Sequence, residues 1–299
     1  MKFKLIPLMA AAAMAASWSG QAVASPLVLN TSSQASLVYS SGNSFDGQDP
    51  NTLGGAVGMF NVAGFVIQGD DGVEVEETYL VNIVDELDRT GTTASLRVAG
   101  HTIDDPTGQI LSVSTTGGIQ HTGSRISGTL TGGVATVSNL RFDLANHRVY
   151  ADLTGTKGAV RTTPSVSYNL PNTALWTIGS ISGPTVIDPA ALALSGQARI
   201  DALVADGFTH QGGDLFSARI VASKLQMTVA GFDFWRNSFG LLSTGIGGFT
   251  AVNEEGWGST TLDLTFRVPA VPEPGSYALA VTGLLVVWGA MRARRSRAA

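Results

Sequence analysis

The sequence predicts an all-β protein, a Gly-rich antiparallel sandwich or barrel with one short helix, flanked by a signal peptide and a single C-terminal transmembrane helix. Three observations lead to this prediction. The central part of the chain alternates polar and apolar side chains over short runs, turn-forming residues interrupt those runs, and the long apolar stretches lie only at the two ends. With 36 Gly and 14% charged residues in 299, the composition also differs from that of a helical bundle.

Residues 1–24 are predicted to be a secretion signal. Basic residues precede an apolar run, and Ala22 and Ala24 supply the small side chains that a signal peptidase recognises before it cuts at Ser25. The mature chain is therefore expected to begin at Ser25 in an exported, oxidising compartment. Because the chain contains no Cys, a disulfide framework and a Cys-ligated metal site are both excluded.

Three features follow one another at the C-terminus. Pro272, Glu273 and Pro274 form a segment that is neither helix nor central strand, and an apolar stretch near the lower length limit for a membrane-spanning helix comes next. The arginines after that stretch are Arg292, Arg294, Arg295 and Arg297. The predicted segments are a linker (268–276), a transmembrane helix (277–291) and a cytoplasmic tail (292–299). The positive-inside rule then places everything before Pro272 outside the inner membrane.

This tail closely resembles the PEP-CTERM sorting domain of exported bacterial proteins. The resemblance covers about the last 30 residues and includes the Pro272–Glu273–Pro274 triplet, the apolar helix and the Arg-rich end. It implies recognition by an exosortase, a membrane transpeptidase, and delivery to the cell surface, a biofilm or an exopolysaccharide matrix. The alternative is an ordinary tail anchor that is preceded by a proline-containing linker.

The exported body, residues 25–267, is predicted to consist mainly of strands. Its candidate strands are residues 36–39, 60–67, 73–76, 80–84, 94–98, 110–114, 124–130, 135–142, 148–153, 174–178, 216–229 and 260–268. Asp188 and Pro189 form a helix start, which predicts one helix over about 189–206 that covers a sheet edge or plugs a barrel mouth. Residues 239–249, rich in glycine, are predicted to form a flexible apolar loop.

Part of the body also resembles the HtaA-like β modules of bacterial surface proteins. The resemblance rests on segments 137–142 and 149–153, followed by the predicted helix and by segment 208–216. Modules of that kind can bind haem through Tyr and His, so haem is one candidate ligand. The sequence alone does not identify a ligand pair.

No catalytic constellation is recognisable in the body, so no catalytic residue is predicted. The four histidines, His101, His121, His147 and His210, match no catalytic or metal-binding motif and are predicted to lie in turns or at the surface. Oxygen ligands for calcium could come from an acidic turn, whose candidates are Asp70, Asp71, Glu74 and Glu76. The alternative is a solvated acidic hairpin, and no cofactor is predicted.

The aromatic and charged residues bear on whether the body binds sugars or nucleic acid. Trp235 and Trp257 lie among polar neighbours, where they could stack on sugars, but core or interface positions are the prediction. The formal net charge of the chain is −5, and the body is more acidic still because Lys2, Lys4 and the tail arginines lie outside it. Such a surface disfavours nucleic acid.

We therefore expect a non-enzymatic, exported protein that is held briefly in the inner membrane and then sorted to the cell surface or extracellular matrix. Its expected processing partners are a signal peptidase and an exosortase, and exopolysaccharide is a candidate contact. The main alternative is a periplasm- or surface-facing module that binds calcium, a glycan or haem. An enzyme acting on polysaccharide ranks third.

Overall fold

The computed structural model describes residues 28–29, 32–41, 54–81, 87–160 and 163–268. They form thirteen strands, named β1 to β13: Val28–Leu29, Gln34–Tyr39, Phe65–Asp70, Glu74–Val81, Leu87–Asp104, Gln109–Thr116, Gly118–Gly123, Gly133–Asp143, Arg148–Lys157, Val166–Ser182, Thr209–Gly212, Leu215–Met227 and Gly258–Arg267. They also form five helices, α1 to α5: Gly55–Val62, Pro189–Leu192, Gly196–Ala205, Val229–Phe239 and Ser243–Glu255. The predicted antiparallel, mainly β body is confirmed.

Eight of the strands pair in a closed ring. Its order is β13–β2–β5–β6–β8–β9–β10–β12, and β12 pairs with β13 again from Leu215 opposite Arg267 to Ser223 opposite Ser259. Every one of these pairings is antiparallel. Closure leaves no open edge in the ring and corresponds to the barrel among the two predicted architectures.

Alternation along the ring strands places their apolar side chains in the interior. In β9, Val149, Ala151 and Leu153 are buried while the residues between them are partly exposed, which is the period of two expected for a strand with one solvated face. A second group of strands lies beside β8 and β5. β7 pairs with both β8 and β3, and β4 pairs with β5.

The prediction of one short helix is wrong. The expected helix over 189–206 is divided into α2 and α3, and α1, α4 and α5 were not anticipated. Part of predicted strand 60–67 lies in α1, because a short apolar run without alternation has no period that separates helix from strand. The prediction of a flexible loop over 239–249 is wrong for most of that segment, because Phe239 ends α4 and residues 243–249 begin α5, with only 240–242 between the helices.

Glycines in α5 permit close packing. A Cβ at Gly245 would collide with the Thr129 carbonyl, and one at Gly248 would lie 2.7 Å from Sδ of Met59 in α1. Tertiary contact therefore outweighs the low intrinsic helix propensity of glycine here. The predicted strand 124–130 contributes only isolated bridges at Ile126 and Leu130, whereas the polar, Gly-bounded β7 was missed.

The terminal segments cannot be compared with the structure. The signal peptide with its cleavage site, the linker with its sorting motif, the transmembrane helix and the Arg-rich tail all lie outside the described residues. Among the residues that are described, none of the helices has the length and apolar character needed to cross a membrane.

Candidate functional site

A fully buried polar pair lies at the end of the ring where β2 ends. The hydroxyl of Tyr39, the last residue of β2, is 3.0 Å from Nε2 of His121 in β7. Tyr39 is 3% exposed and His121 is completely buried. The pair is formed by strand pairing, since β2 belongs to the ring and β7 reaches it through β8.

Six aromatic side chains are connected to this pair, and with it they form what we call the aromatic cluster. The six are Phe60, Phe65, Trp235, Phe239, Phe249 and Trp257. The ring centroid of Phe60 lies 5.1 Å from that of Tyr39 and 5.7 Å from that of His121. Phe60 belongs to α1, and Trp235 approaches His121 from α4, at 4.7 Å between the ring centroids. Phe60 and Trp235 thus contact the pair through edge-on and tilted rings, and the other four rings pack against those two.

Burial controls the protonation of both members of the pair. Loss of hydration lowers the pKa of His121 to about 3, and weaker interactions with the backbone of Ala135 and Ile119 oppose this shift. The same loss of hydration raises the pKa of the Tyr39 hydroxyl above its ordinary value. At neutral pH the two groups are therefore a neutral imidazole and a neutral phenol. With the imidazole proton on Nδ1, Nε2 accepts a hydrogen bond from the Tyr39 hydroxyl.

Two nitrogen atoms in the cluster retain unused hydrogen-bonding capacity. Within the described part of the chain, neither Nδ1 of His121 nor Nε1 of Trp235 has a hydrogen-bond partner of normal geometry. Buried polar atoms are almost always paired, and leaving one unpaired costs about 1–3 kcal/mol. Such atoms mark a place where a protein accepts a loss of stability, which is a common property of binding sites.

One buried cation lies near the pair. Nε of Arg89 is 2.7 Å from Oε1 of Glu77, and its Nη2 donates to the Phe65 carbonyl at 2.9 Å. The Arg89 charge is close enough to contribute to the lowered pKa of His121. Asn61 of α1 donates to the Arg89 carbonyl at 2.8 Å, so this residue also joins α1 to β5.

The predicted calcium candidates lie along the β3–β4 hairpin. Asp70 ends β3, Asp71 occupies the turn with φ +52°, and Glu74 and Glu76 point from β4 into solvent. Across the described residues, no group of three or more His, Asp or Glu side chains is arranged to hold a metal ion. These four carboxylates therefore do not converge.

The histidine prediction is wrong for His121, which lies in the core, and holds for the exposed turn residue His147. His101 is half-buried beside Phe266, and burial lowers its pKa. His210, on the short strand β11, is 3.1 Å from the Gly213 carbonyl. The predicted core positions of Trp235 and Trp257 are confirmed, since each is at most 1% exposed.

Sequence reasoning missed the Tyr39–His121 pair because 82 residues separate its members. The local signal at His121 is a polar, Gly-bounded segment that favours a turn. Alternation around Tyr39 did indicate a strand, but nothing in that pattern identifies the strand that lies opposite. Only the pairing of β7 with β8 brings the imidazole to the phenol.

Comparisons with known proteins found little. No protein-family model matches the chain, and no curated protein matches it. Among solved structures, the haem-binding protein HtaB from Corynebacterium glutamicum is similar with a TM-score of 0.37 and 15% sequence identity, over 81% of this chain and 96% of that chain. The match is in line with the resemblance to HtaA-like modules noted from the sequence. At this level of similarity it carries no argument about function.

Proposed function

We propose that this chain is a non-enzymatic, exported protein of the cell envelope or extracellular matrix, sorted by an exosortase through Pro272, Glu273 and Pro274. The observation that supports this proposal is the order of the terminal signals: a cleavable start before Ser25, then the triplet, an apolar stretch and a basic end. The body between these signals is glycine-rich, acidic and mainly β-sheet. A protein of this kind would be held briefly in the inner membrane before it reaches the surface.

Intact-mass measurement of the protein from cells and from culture fluid tests this proposal. We expect a species that begins near Ser25 and ends near Pro272, and we expect this species to disappear in a Pro272→Ala/Pro274→Ala variant. A Pro269→Ala variant is the matched control, because it removes a nearby proline but leaves the triplet intact. A full-length tail in every fraction of the unmodified protein would contradict sorting and indicate a plain anchor.

A second function is favoured by the Tyr39–His121 pair, namely binding of haem by the body. Tyrosine is one of the side chains that ligate haem iron, and neighbouring hydrogen-bonding groups tune such a ligand. Of the three ligands considered, calcium would need converging oxygen atoms, and a glycan would need exposed aromatic faces. The aromatic cluster instead offers one phenol, with Phe60 against it and Trp235 against its imidazole partner, which suits a flat, apolar macrocycle with a metal at its centre.

Tyr39 would hold the iron, and His121 would orient the phenol through Nε2. Bound haem would supply an electron-accepting metal that favours the ionised phenol and so offsets the effect of burial on its pKa. The phenol proton would pass to solvent, and the neutral His121 tautomer with its proton on Nε2 would then donate to the phenolate oxygen. In the structure, Phe60 fills the space against the pair, so haem can reach Tyr39 only if Phe60 moves.

Titration of the purified full-length protein with haemin tests the second function. We expect a saturable Soret band with the charge-transfer absorption of a tyrosine-ligated ferric haem. Tyr39→Phe should remove the charge-transfer band and weaken binding at least ~10-fold, because the iron loses its ligand. Tyr150→Phe, on β9 and outside the aromatic cluster, is the matched control and should bind as the unmodified protein does. Equal binding by both variants would contradict the assignment of Tyr39.

A further inference from the structure

We propose that α1 is a displaceable plug, and that a flat apolar ligand reaches Tyr39 by taking the place of the Phe60 ring. This inference concerns regulation of the Tyr39–His121 site and rests on the second proposed function. It commits to a specific movement: residues 55–62 leave the aromatic cluster while the ring of strands keeps its structure.

Phe60 is the side chain that a ligand at Tyr39 must replace. Its ring contacts four members of the aromatic cluster, at 5.1 Å from Tyr39, 5.7 Å from His121, 5.8 Å from Phe65 and 6.3 Å from Trp257. Phe60 itself is completely buried. It is supplied by a short helix, whereas Tyr39 and His121 are held by paired strands, so Phe60 can be withdrawn without breaking a strand pairing of the ring.

The ends of α1 are weakly held. Its N-cap residue, Gly54, makes no side-chain cap, the acceptor for the Ala56 amide is Ser40 outside the helix, and its first and last turns carry no compensating charge. An isolated helix of eight residues is marginal in water, so α1 depends on its packing. Its polar links to the rest of the body include Ala56 N to Ser40 Oγ at 3.1 Å, Val57 N to the Ser40 carbonyl at 3.0 Å, and Asn61 Nδ2 to the Arg89 carbonyl at 2.8 Å.

Glycines lie at both ends of α1, as its first residue and two residues after its last. Gly55 has φ +66° and Gly64 has φ +57°, values that other residues rarely adopt. The space around Gly64 is nearly empty, since the nearest atom to a Cβ added at this position would be Cδ1 of Ile126 at 3.9 Å. Of the described side chains, none is packed tightly against Gly64, and hinge positions of this kind absorb changes in φ and ψ at the ends of moving elements.

Ser40 connects this movement to the proposed iron ligand. Its hydroxyl accepts from the Ala56 amide and donates to the Gly256 carbonyl at 2.6 Å. Ser40 directly follows Tyr39, and Gly256 directly precedes Trp257. Departure of α1 thus removes a hydrogen bond from the residue that follows Tyr39 at the same moment that it opens the space occupied by Phe60.

Native-state hydrogen exchange on the full-length protein without ligand is the first test. We expect the amides of Met59, Phe60 and Asn61 to exchange at least ~10-fold faster than those of β8, with a rate that low denaturant leaves unchanged, because α1 opens locally. Exchange of α1 and β8 at the same rate, with the same denaturant dependence, would show that α1 leaves only on global unfolding and would overturn the plug. This result does not depend on haem.

Haemin binding to variants is the second test. Phe60→Leu, which keeps an apolar side chain but shortens it, should increase the association rate of haemin at least ~10-fold, because the plug competes less well for the site. Phe142→Leu is the matched control, a completely buried Phe of β8 outside the aromatic cluster, and should leave the rate unchanged. Equal association rates for the two variants would overturn the plug.

The two proposals fail in different ways. If the unmodified protein and Phe60→Leu both show no saturable haemin absorption, haem is the wrong ligand, and the exchange experiment alone decides the plug. If haemin binds with the Tyr39-dependent band while the exchange of α1 amides stays as slow as before, the binding function stands and the plug is wrong. Faster α1 exchange on haemin addition, with β8 unchanged, supports both.

Discussion

Helices α1 and α4 pack on the same aromatic cluster, but their ends differ. The N-terminus of α4 is capped by the Thr228 side chain, which accepts from Gly231 N at 3.1 Å, and the helix ends at Gly240 in the left-handed conformation. It also carries Arg236 in its last turn, where a cation is favourable. The N-cap residue of α1 is Gly54, which makes no side-chain cap, and the Ser40 hydroxyl outside the helix accepts from the Ala56 amide instead. The N-terminus of α4 is thus capped by the residue that precedes it, whereas the N-terminus of α1 depends on a contact that is lost if the helix moves away from β2.

Truncation of the α4 side chain that packs in the aromatic cluster should have the largest effect on stability. Trp235 of α4 is completely buried and contacts five rings of the cluster. Trp235→Ala should lower the free energy of unfolding by about 3–5 kcal/mol, measured by denaturant titration, because it leaves a large cavity. Val229→Ala, on the same helix but 81% exposed, should change it by less than about 0.5 kcal/mol. Similar losses in the two variants would contradict this account of α4.

Glycines at the two helix ends provide a direct comparison, since Gly240 and Gly64 both have φ +57°. Gly240→Ala should lower the free energy of unfolding by about 2–3 kcal/mol, because its Cβ would strike Thr131 Oγ1 in addition to the backbone strain. Gly64→Ala has space around it and should lower the free energy by only about 1 kcal/mol. Thermal or chemical unfolding of both variants measures the difference, and equal losses would show that backbone strain dominates at both ends.

Acid should destabilise the protein through His121. Because its pKa is about 3 in the folded protein and near 6.5 when unfolded, only the unfolded chain binds the proton between those values. The contribution of His121 to the free energy of unfolding is therefore retained above about pH 6.5 and is lost as the pH is lowered. The loss is about 2 kcal/mol between pH 7 and pH 5.

Denaturant titrations at the two pH values measure this dependence. His121→Gln should remove that part of it, whereas His147→Asn, at an exposed turn, should retain it. Loss of the same part of the pH dependence in His147→Asn would contradict the role of the buried imidazole.

The smallest effect concerns the cap of α4. Thr228→Ala should lower the free energy of unfolding by about 1 kcal/mol, since Gly231 N loses its acceptor.

Ser40→Ala removes the acceptor for Ala56 N in α1 and should mainly accelerate amide exchange within residues 55–62. If Ser40→Ala instead accelerated exchange throughout the ring, α1 would be part of the global folding unit.

Sequence patterns predicted the strands well and the helices poorly. Alternation identifies β9 and β13 because each has one buried face, and a buried face is a local property. By contrast, α1 has Asn61 as its one polar side chain and α5 contains three glycines, so neither has the polarity pattern of a surface helix. These helices form because the ring presents an apolar end that requires cover, a property that no short window of sequence contains.

The Tyr39–His121 pair was even harder to predict from local sequence than the helices. Trp235 and Trp257 could be predicted as core residues, but the partner of Tyr39 could not, because hydrogen bonding between β2 and β7 depends on the order of strands. His121 was predicted as a surface residue on account of its polar neighbours. Those neighbours, Gln120 and Thr122, face away from the core, as alternation requires once β7 is known to be a strand.

Pairing between β2 and β13 also determines when this protein can fold. Ser33 Oγ accepts from the Thr265 amide across 232 residues of sequence, and β13 is the strand that joins β2 to β12. A chain that is still emerging from the ribosome cannot close the ring between these two strands until Gly258–Arg267 has been synthesised. Contacts so distant in sequence form slowly. The native ring is therefore assembled only after its last strand is available, and until then β2 and β12 both lack a neighbour.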